Sequence, residues 1–198
     1  MPLNKPSRRL VIAGAAAFML PLPGRALTPA DAQTYVQQVV DVFFGILASS
    51  ASQATILTRF EREFTGYTDV DVIARTVLGP PYRSLSARQK RDFSRAFGRY
   101  LARKYGRQMM QYGDAEITIT RTRDIGRKGI LVSTQVRKRG QSPFLLEWQV
   151  SDRSGQTKLI NLVIEGISLL TTERGEIRNL LAARGGDVSA LTAYLAAQ

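Results

Sequence analysis

Glu165, beside Gly166 at the end of the apolar run Leu162-Val163-Ile164, is the carboxylate whose setting most invites a catalytic reading. The same pair has a structural use, which is the stronger reading. A glycine permits a sharp strand-to-helix turn, and the carboxylate then caps backbone donors or pairs with an arginine. The chain has no cysteine and no histidine among its 198 residues. Thiolate nucleophiles, disulfides, zinc sites of the usual Cys/His kind and histidine-based triads are therefore excluded. Carboxylates, serines and lysines remain, so acid–base chemistry lacks its commonest base rather than every base. The missing cysteines leave the redox compartment open, since an exported protein need not use disulfides.

A second constellation follows Ser86-Ala87-Arg88-Gln89, whose spacing is that of a capping box opening a long helix to about Tyr112. Phe93, Phe97, Tyr100, Leu101, Tyr105 and Met109 recur along it at steps of three and four. Arg88, Lys90, Arg91, Arg95, Arg99, Arg103 and Arg107 crowd the other faces. Taken alone, the stripe reads as core packing and the arginines as a solvated face.

These residues need elements to hold them. Thr28-Pro29-Ala30-Asp31 predicts a helix start, with Val36, Val39, Val40, Phe43 and Leu47 at helical spacing. A second helix is predicted from about Ala51 to Phe64, ended by Gly66, and a third, capped by Thr68 and Asp69, is stopped by Gly79-Pro80-Pro81. From Ala115 the period changes to two. Residues 116–121, 130–137, 145–150 and 157–164 read as four strands joined by short links, hence an antiparallel meander. Residues 169–183 and 188–196 return to helix across Gly185-Gly186. Helices, then sheet, then helices make an α+β domain, with one face of the sheet available to the helices.

The length suits a single domain. Residues 1–26, MPLNKPSRRLVIAGAAAFMLPLPGRA, have a basic start, an apolar run from Leu10 to Leu22, then Gly24 and Ala26. This is the order of a cleaved secretory signal, with residues 27–198 as the mature domain. Ser7-Arg8-Arg9-Leu10 also suits a twin-arginine signal, while paired arginines occur in ordinary Sec signals too. The apolar run, broken by Pro21 and Pro23, falls short of the roughly 20 residues needed to span a bilayer. Removing Lys5, Arg8, Arg9 and Arg25 from the 28 basic residues leaves 24 against 16 acidic ones, a net charge of +8. Such a surface is drawn to nucleic acid, anionic headgroups or acidic proteins. Export argues against nucleic acid.

Several segments together resemble the MlaC family of periplasmic phospholipid-binding proteins, which includes the toluene-tolerance Ttg-type proteins and hopanoid-associated members. They are Asp71-Val72-Ile73-Ala74-Arg75-Thr76-Val77-Leu78-Gly79, then Tyr82-Arg83-Ser84-Leu85-Ser86, then the aromatic stripe of the long helix. The most specific is Leu162-Val163-Ile164-Glu165-Gly166-Ile167-Ser168-Leu169, with Trp148 before it and Arg174 after it. Gly185-Gly186-Asp187-Val188-Ser189-Ala190-Leu191 completes the set, and the resemblance covers nearly all of residues 30–197. Asn161, Glu173 and Ile177 depart from the family's usual aspartate, aromatic and phenylalanine.

The resemblance implies a fold of N-terminal helices, a four-stranded antiparallel sheet and C-terminal helices. An apolar lipid pocket would lie between sheet and helices, taking acyl chains and leaving the headgroup in solvent. It implies lining by Ile73, Leu78, Phe93, Phe97, Tyr100, Leu101, Tyr105, Ile117, Ile119, Val132, Trp148, Val150, Ile164 and Ile167. It implies no cofactor and no metal. Its partners would be an outer-membrane lipoprotein complex and an inner-membrane ABC transporter with its substrate-binding ring. Basic residues near the mouth, among them Arg83, Arg99, Arg103 and Arg137, would favour anionic phosphate or acidic docking surfaces. An enzyme of the small α+β cavity class is the first rival, and would need titratable groups converging on the pocket. A carrier of hopanoid or another polycyclic lipid is the serious alternative, because both cargoes want the same apolar walls.

Overall fold

The structure, a computed structural model, describes residues 26–198. The expected signal segment, all but Ala26, lies outside the described residues. Helix α1 spans Pro29–Leu47, α2 Gln53–Tyr67, α3 Val70–Leu78 and α4 Ala87–Met109. The starts follow local chemistry. In α1, Asp31 N donates to Thr28 Oγ1 at 3.2 Å and Thr28 N donates to the Asp31 carboxylate at 3.3 Å. In α4, Gln89 N donates to Ser86 Oγ at 3.2 Å and Ser86 N to Gln89 Oε1 at 3.0 Å. Both are reciprocal capping boxes, satisfying donors that helix geometry leaves over.

Helix α2 runs through Gly66 instead of stopping there. Its end is set by tertiary contacts: the Tyr67 carbonyl accepts the Tyr35 hydroxyl at 2.7 Å, and Asp69 N donates to the Leu159 carbonyl at 2.8 Å. Gly79, at φ 68°, then stops α3. Helix α4 ends at Met109, and a short 3-10 turn over Met110–Tyr112 takes up the remainder of the predicted helix.

Strands β1 (Glu116–Asp124), β2 (Ile130–Arg137), β3 (Phe144–Ser151), β4 (Lys158–Ile164) and β5 (Ile167–Ser168) form one antiparallel sheet in chain order. The sheet has five strands rather than the expected four. Glu165 and Gly166, at φ 47° and 80°, reverse the chain so abruptly that Ile167 and Ser168 pair back onto Ile164 and Val163. Glu165 holds this turn. Its N–H donates to the Leu145 carbonyl at 3.0 Å, and its carboxylate accepts the Leu145 N–H. It caps a backbone donor, as the structural reading of the Glu165-Gly166 pair expects. Bulges interrupt β1 between Ile119 and Arg121 and β3–β4 beside Val150.

Helices α5 (Leu169–Ala182) and α6 (Val188–Ala196) complete the fold. One sheet face, built from alternate residues such as Val132, Val136, Leu146, Trp148 and Val150, is buried against the helices. The Trp148 indole donates to Thr134 Oγ1 at 3.0 Å, and Thr134 donates on to the Leu146 carbonyl at 2.8 Å, so this polar pair is satisfied inside the core. Helix α1 crosses β1 and β2, α3 and α5 lie against β4, and α4 packs against α2, α3 and α6.

Candidate functional site

Alternate residues of β2, β3 and β4 face α1, α4 and α5 without filling the space between them. An outer cavity of about 310 Å³ is lined by Phe44 of α1, Met109 of α4, and Val136, Phe144, Leu146 and Ile164 of the sheet. Exposed Gln108 and Gln111 also border it, which puts its opening at the C-terminal end of α4. That volume lies at the lower end of the range for small-molecule sites, about 300–1,000 Å³. A smaller inner cavity, about 50 Å³, lies among Phe64, Ile73, Leu101, Leu159 and Leu170. Tyr105, Leu162 and Leu169 line both and form the neck between them.

A polar cluster sits at the wall of the inner cavity. Glu173 of α5 is only 2% exposed. Its Oε1 accepts Lys104 Nζ at 2.7 Å and the Tyr105 hydroxyl at 2.5 Å. Lys104 also donates to Glu176 at 2.5 Å, and Glu176 accepts the Tyr100 hydroxyl. Burial, with the Glu176 carboxylate second, pushes the Tyr100 phenol well above its ordinary range; burial and then Glu173 do the same for Tyr105. Burial alone would lower Lys104, but its hydrogen bonds to Glu173 and Glu176 carry it above the usual lysine value. Burial would likewise raise Glu176, yet Lys104 and Tyr100 hold it below the usual carboxylate range. At neutral pH both phenols therefore keep their protons and the lysine stays charged. A general base or nucleophile needs the opposite tuning, so the cluster ties α4 to α5 rather than activating a reacting group.

Of the residues singled out from sequence, Ile73, Leu101, Tyr105 and Ile164 line the cavities. Leu78, Phe93, Phe97, Val132, Trp148 and Val150 are buried in the core outside that lining, and Tyr100 belongs to the polar cluster. Ile117 and Ile119 are half-buried on the inner face of β1. Ile167 is 64% exposed. It pairs directly with Ile164, which pairs with Leu146, and partners in register share a sheet face. Ile167 thus stands on the cavity side at the open edge of the sheet. The arginines do not gather at the opening as expected. Arg99 and Arg103 each lie 3.3 Å from Glu61 in a polar cleft between α2 and α4, and neither Arg83 nor Arg137 lines the apolar cavities.

Sequence reasoning missed Phe144 and Leu146, although the two-residue period through Trp148 and Val150 reaches both. It also missed Leu162, two before Ile164, and Lys104, one turn beyond Tyr100 on the stripe.

Fold and cavity together define an α+β domain with a hollow, apolar interior. The MlaC protein family model matches residues 23–197. The intermembrane phospholipid transport system binding protein MlaC of Haemophilus influenzae is 26% identical over 152 residues, covering 71% of each chain. The toluene tolerance protein ttg2D of Pseudomonas putida is 23% identical over 187 residues, 91% of this chain and 85% of that one. A phospholipid-binding protein from Ralstonia solanacearum, solved in complex with a phospholipid, superposes with a TM-score of 0.70 at 18% identity, over 83% of this chain and 94% of that one. The chain belongs to the MlaC family.

Proposed function

We propose that this protein is a periplasmic phospholipid carrier. The observation that carries this reading is the apolar cavity between β2–β4 and the helices, opening at the end of α4. Acyl chains enter the outer cavity and, as the neck at Tyr105, Leu162 and Leu169 widens, the inner one. Each methylene withdrawn from water contributes about 0.8 kcal/mol, so ten supply roughly 8 kcal/mol without any polar recognition motif. A bilayer offers the same methylenes similar shelter, which keeps exchange between membrane and carrier near balance. Carriage of this kind involves no covalent step.

Among the described residues, no helix is long and apolar enough to cross a membrane. The name of the Haemophilus relative supports partners at two membranes. These are an inner-membrane ABC transporter with its substrate-binding ring and an outer-membrane lipoprotein complex. Arg91, Arg95, Arg99 and Arg103 follow one another at four-residue steps and line the α2–α4 cleft. That row suits an acidic docking surface.

Native mass spectrometry of the mature protein, purified from its own periplasm, tests the reading. A stoichiometric diacyl phospholipid is expected. An empty protein that also fails to take lipid from vesicles would overturn it, and a polycyclic lipid in its place would change the cargo class.

A further inference from the structure

The inner cavity is mostly apolar, and the polar groups that Tyr105 and Asn161 bring to its wall are already hydrogen-bonded. Glu173 Oε2 and Thr68 Oγ1 are buried and have no hydrogen-bond partner among the described residues, and both residues line that cavity. Glu173 is 2% exposed and Thr68 6%. A buried carboxylate oxygen left without a donor is destabilising, the more so when it is charged, unless something completes it. The other carboxylate oxygen is already held by Lys104 and Tyr105, which orients the side chain and leaves Oε2 without a donor in the cavity wall.

We infer that the inner cavity selects cargo whose apolar chain carries a hydroxyl group. This rests on the carrier reading and specifies the cargo that the carrier prefers. A hydroxyl has what the two orphan atoms lack: its O–H donates to Glu173 Oε2, and its lone pairs accept the Thr68 O–H. An ammonium group could donate to both. It would, however, bring a second cation beside a carboxylate that Lys104 already pairs, in a compartment whose walls are mostly hydrocarbon, and its desolvation weighs against it. A plain chain end fills the same space but leaves both polar atoms unpaired. Discrimination is strong in that direction, because a site built to hydrogen-bond a hydroxyl penalises the analogue lacking it.

The test uses two probes matched in length, hexadecanoic acid and 16-hydroxyhexadecanoic acid, competing for the mature protein in native mass spectrometry. The wild type is expected to favour the hydroxylated chain at least tenfold. Glu173→Leu and Thr68→Val should each bring the ratio close to one, with circular dichroism confirming that both remain folded. Glu173→Gln, which keeps a carbonyl oxygen, should retain part of the preference and serves if the leucine variant fails to fold. Equal binding of the two probes by wild type overturns this inference and leaves the carrier reading standing. A preference that survives both Glu173→Leu and Thr68→Val also overturns it. Failure of wild type to bind either chain removes the carrier reading and this inference with it.

Discussion

Ile167 stands exposed at the sheet edge and Glu173 is buried at the inner cavity, and their surroundings give opposite expectations for substitution. Ile167 is exposed at the sheet edge, so Ile167→Glu should change stability by no more than about 0.5 kcal/mol. Ile167 pairs with Ile164, which lines the outer cavity, so the same change should slow uptake of a fluorescent phospholipid from vesicles several-fold. An unchanged rate would show that this edge of the sheet lies off the path of entry. Gly129 is a different case: at φ 95°, a Cβ would come within 2.1 Å of the Val150 carbonyl oxygen. Gly129→Ala should therefore lower stability by about 2 kcal/mol or more, seen as a lower denaturant midpoint with an unchanged slope. Much of this scale was legible beforehand. The capping pairs and the Glu165-Gly166 turn are local chemistry, written in adjacent residues. Glu173 was legible only as an oddity, because the lysine and tyrosine that make its burial tolerable lie about seventy residues earlier in the chain.

Between elements, Lys104 is the joint. It reaches from α4 to two carboxylates of α5, and α5 forms one wall of both cavities. Lys104→Met leaves Glu173 without its cation and should cost about 2–3 kcal/mol. That is below the 3–5 kcal/mol of a fully buried pair, since Glu176 is 39% exposed and solvent screens it. Adding Glu173→Leu should recover most of the loss, because replacing both partners by apolar groups removes the stranded charge. A double-mutant cycle by urea denaturation measures this, and strictly additive losses would refute the coupling. The elements themselves were legible from periodicity, except where a partner decided them. Helix α2 outruns Gly66 because Tyr35 and Leu159 hold its far end, and β5 exists only because β4 is there to pair with. The cavity lining suffered similarly: alternation identifies the inward face of β3, but whether an inward residue meets a helix or a void depends on how far α4 and α5 stand off. Phe93 and Phe97 met neighbours; Tyr105 met space.

For the whole molecule, the same cluster sets a pH window. Lys104, Tyr100 and Tyr105 hold protons more tightly when folded, so their contribution is complete below their unfolded values, 10.5 for the lysine and 10.0 for the phenols, and fades as pH rises beyond them. Glu176 is lowered by folding, so its contribution is present above its unfolded value of 4.5 and is lost as pH falls below that. Stability at moderate salt should form a plateau across neutral pH with both shoulders softened in Lys104→Met; identical profiles for the two proteins would contradict the assignment. Docking should behave otherwise. Reversing Arg91 and Arg95 to glutamate should weaken binding to an acidic partner at least tenfold at low salt and leave lipid content unchanged, since the α2–α4 cleft and the apolar cavity share no charged wall.

The bulge in β1 bears on a different hazard. A sheet with a long free margin invites another chain to add a strand, the first step toward fibres and clumps. Here the margin carries Glu116, Arg121, Arg123 and Asp124, and it loses its regular spacing between Ile119 and Arg121, while on the opposite margin β5 covers the end of β4 and the start of α3 bridges β4 at Leu159. Neither side offers a straight, uncharged template. A partly hollow interior can then be kept without the molecule becoming adhesive to its own kind.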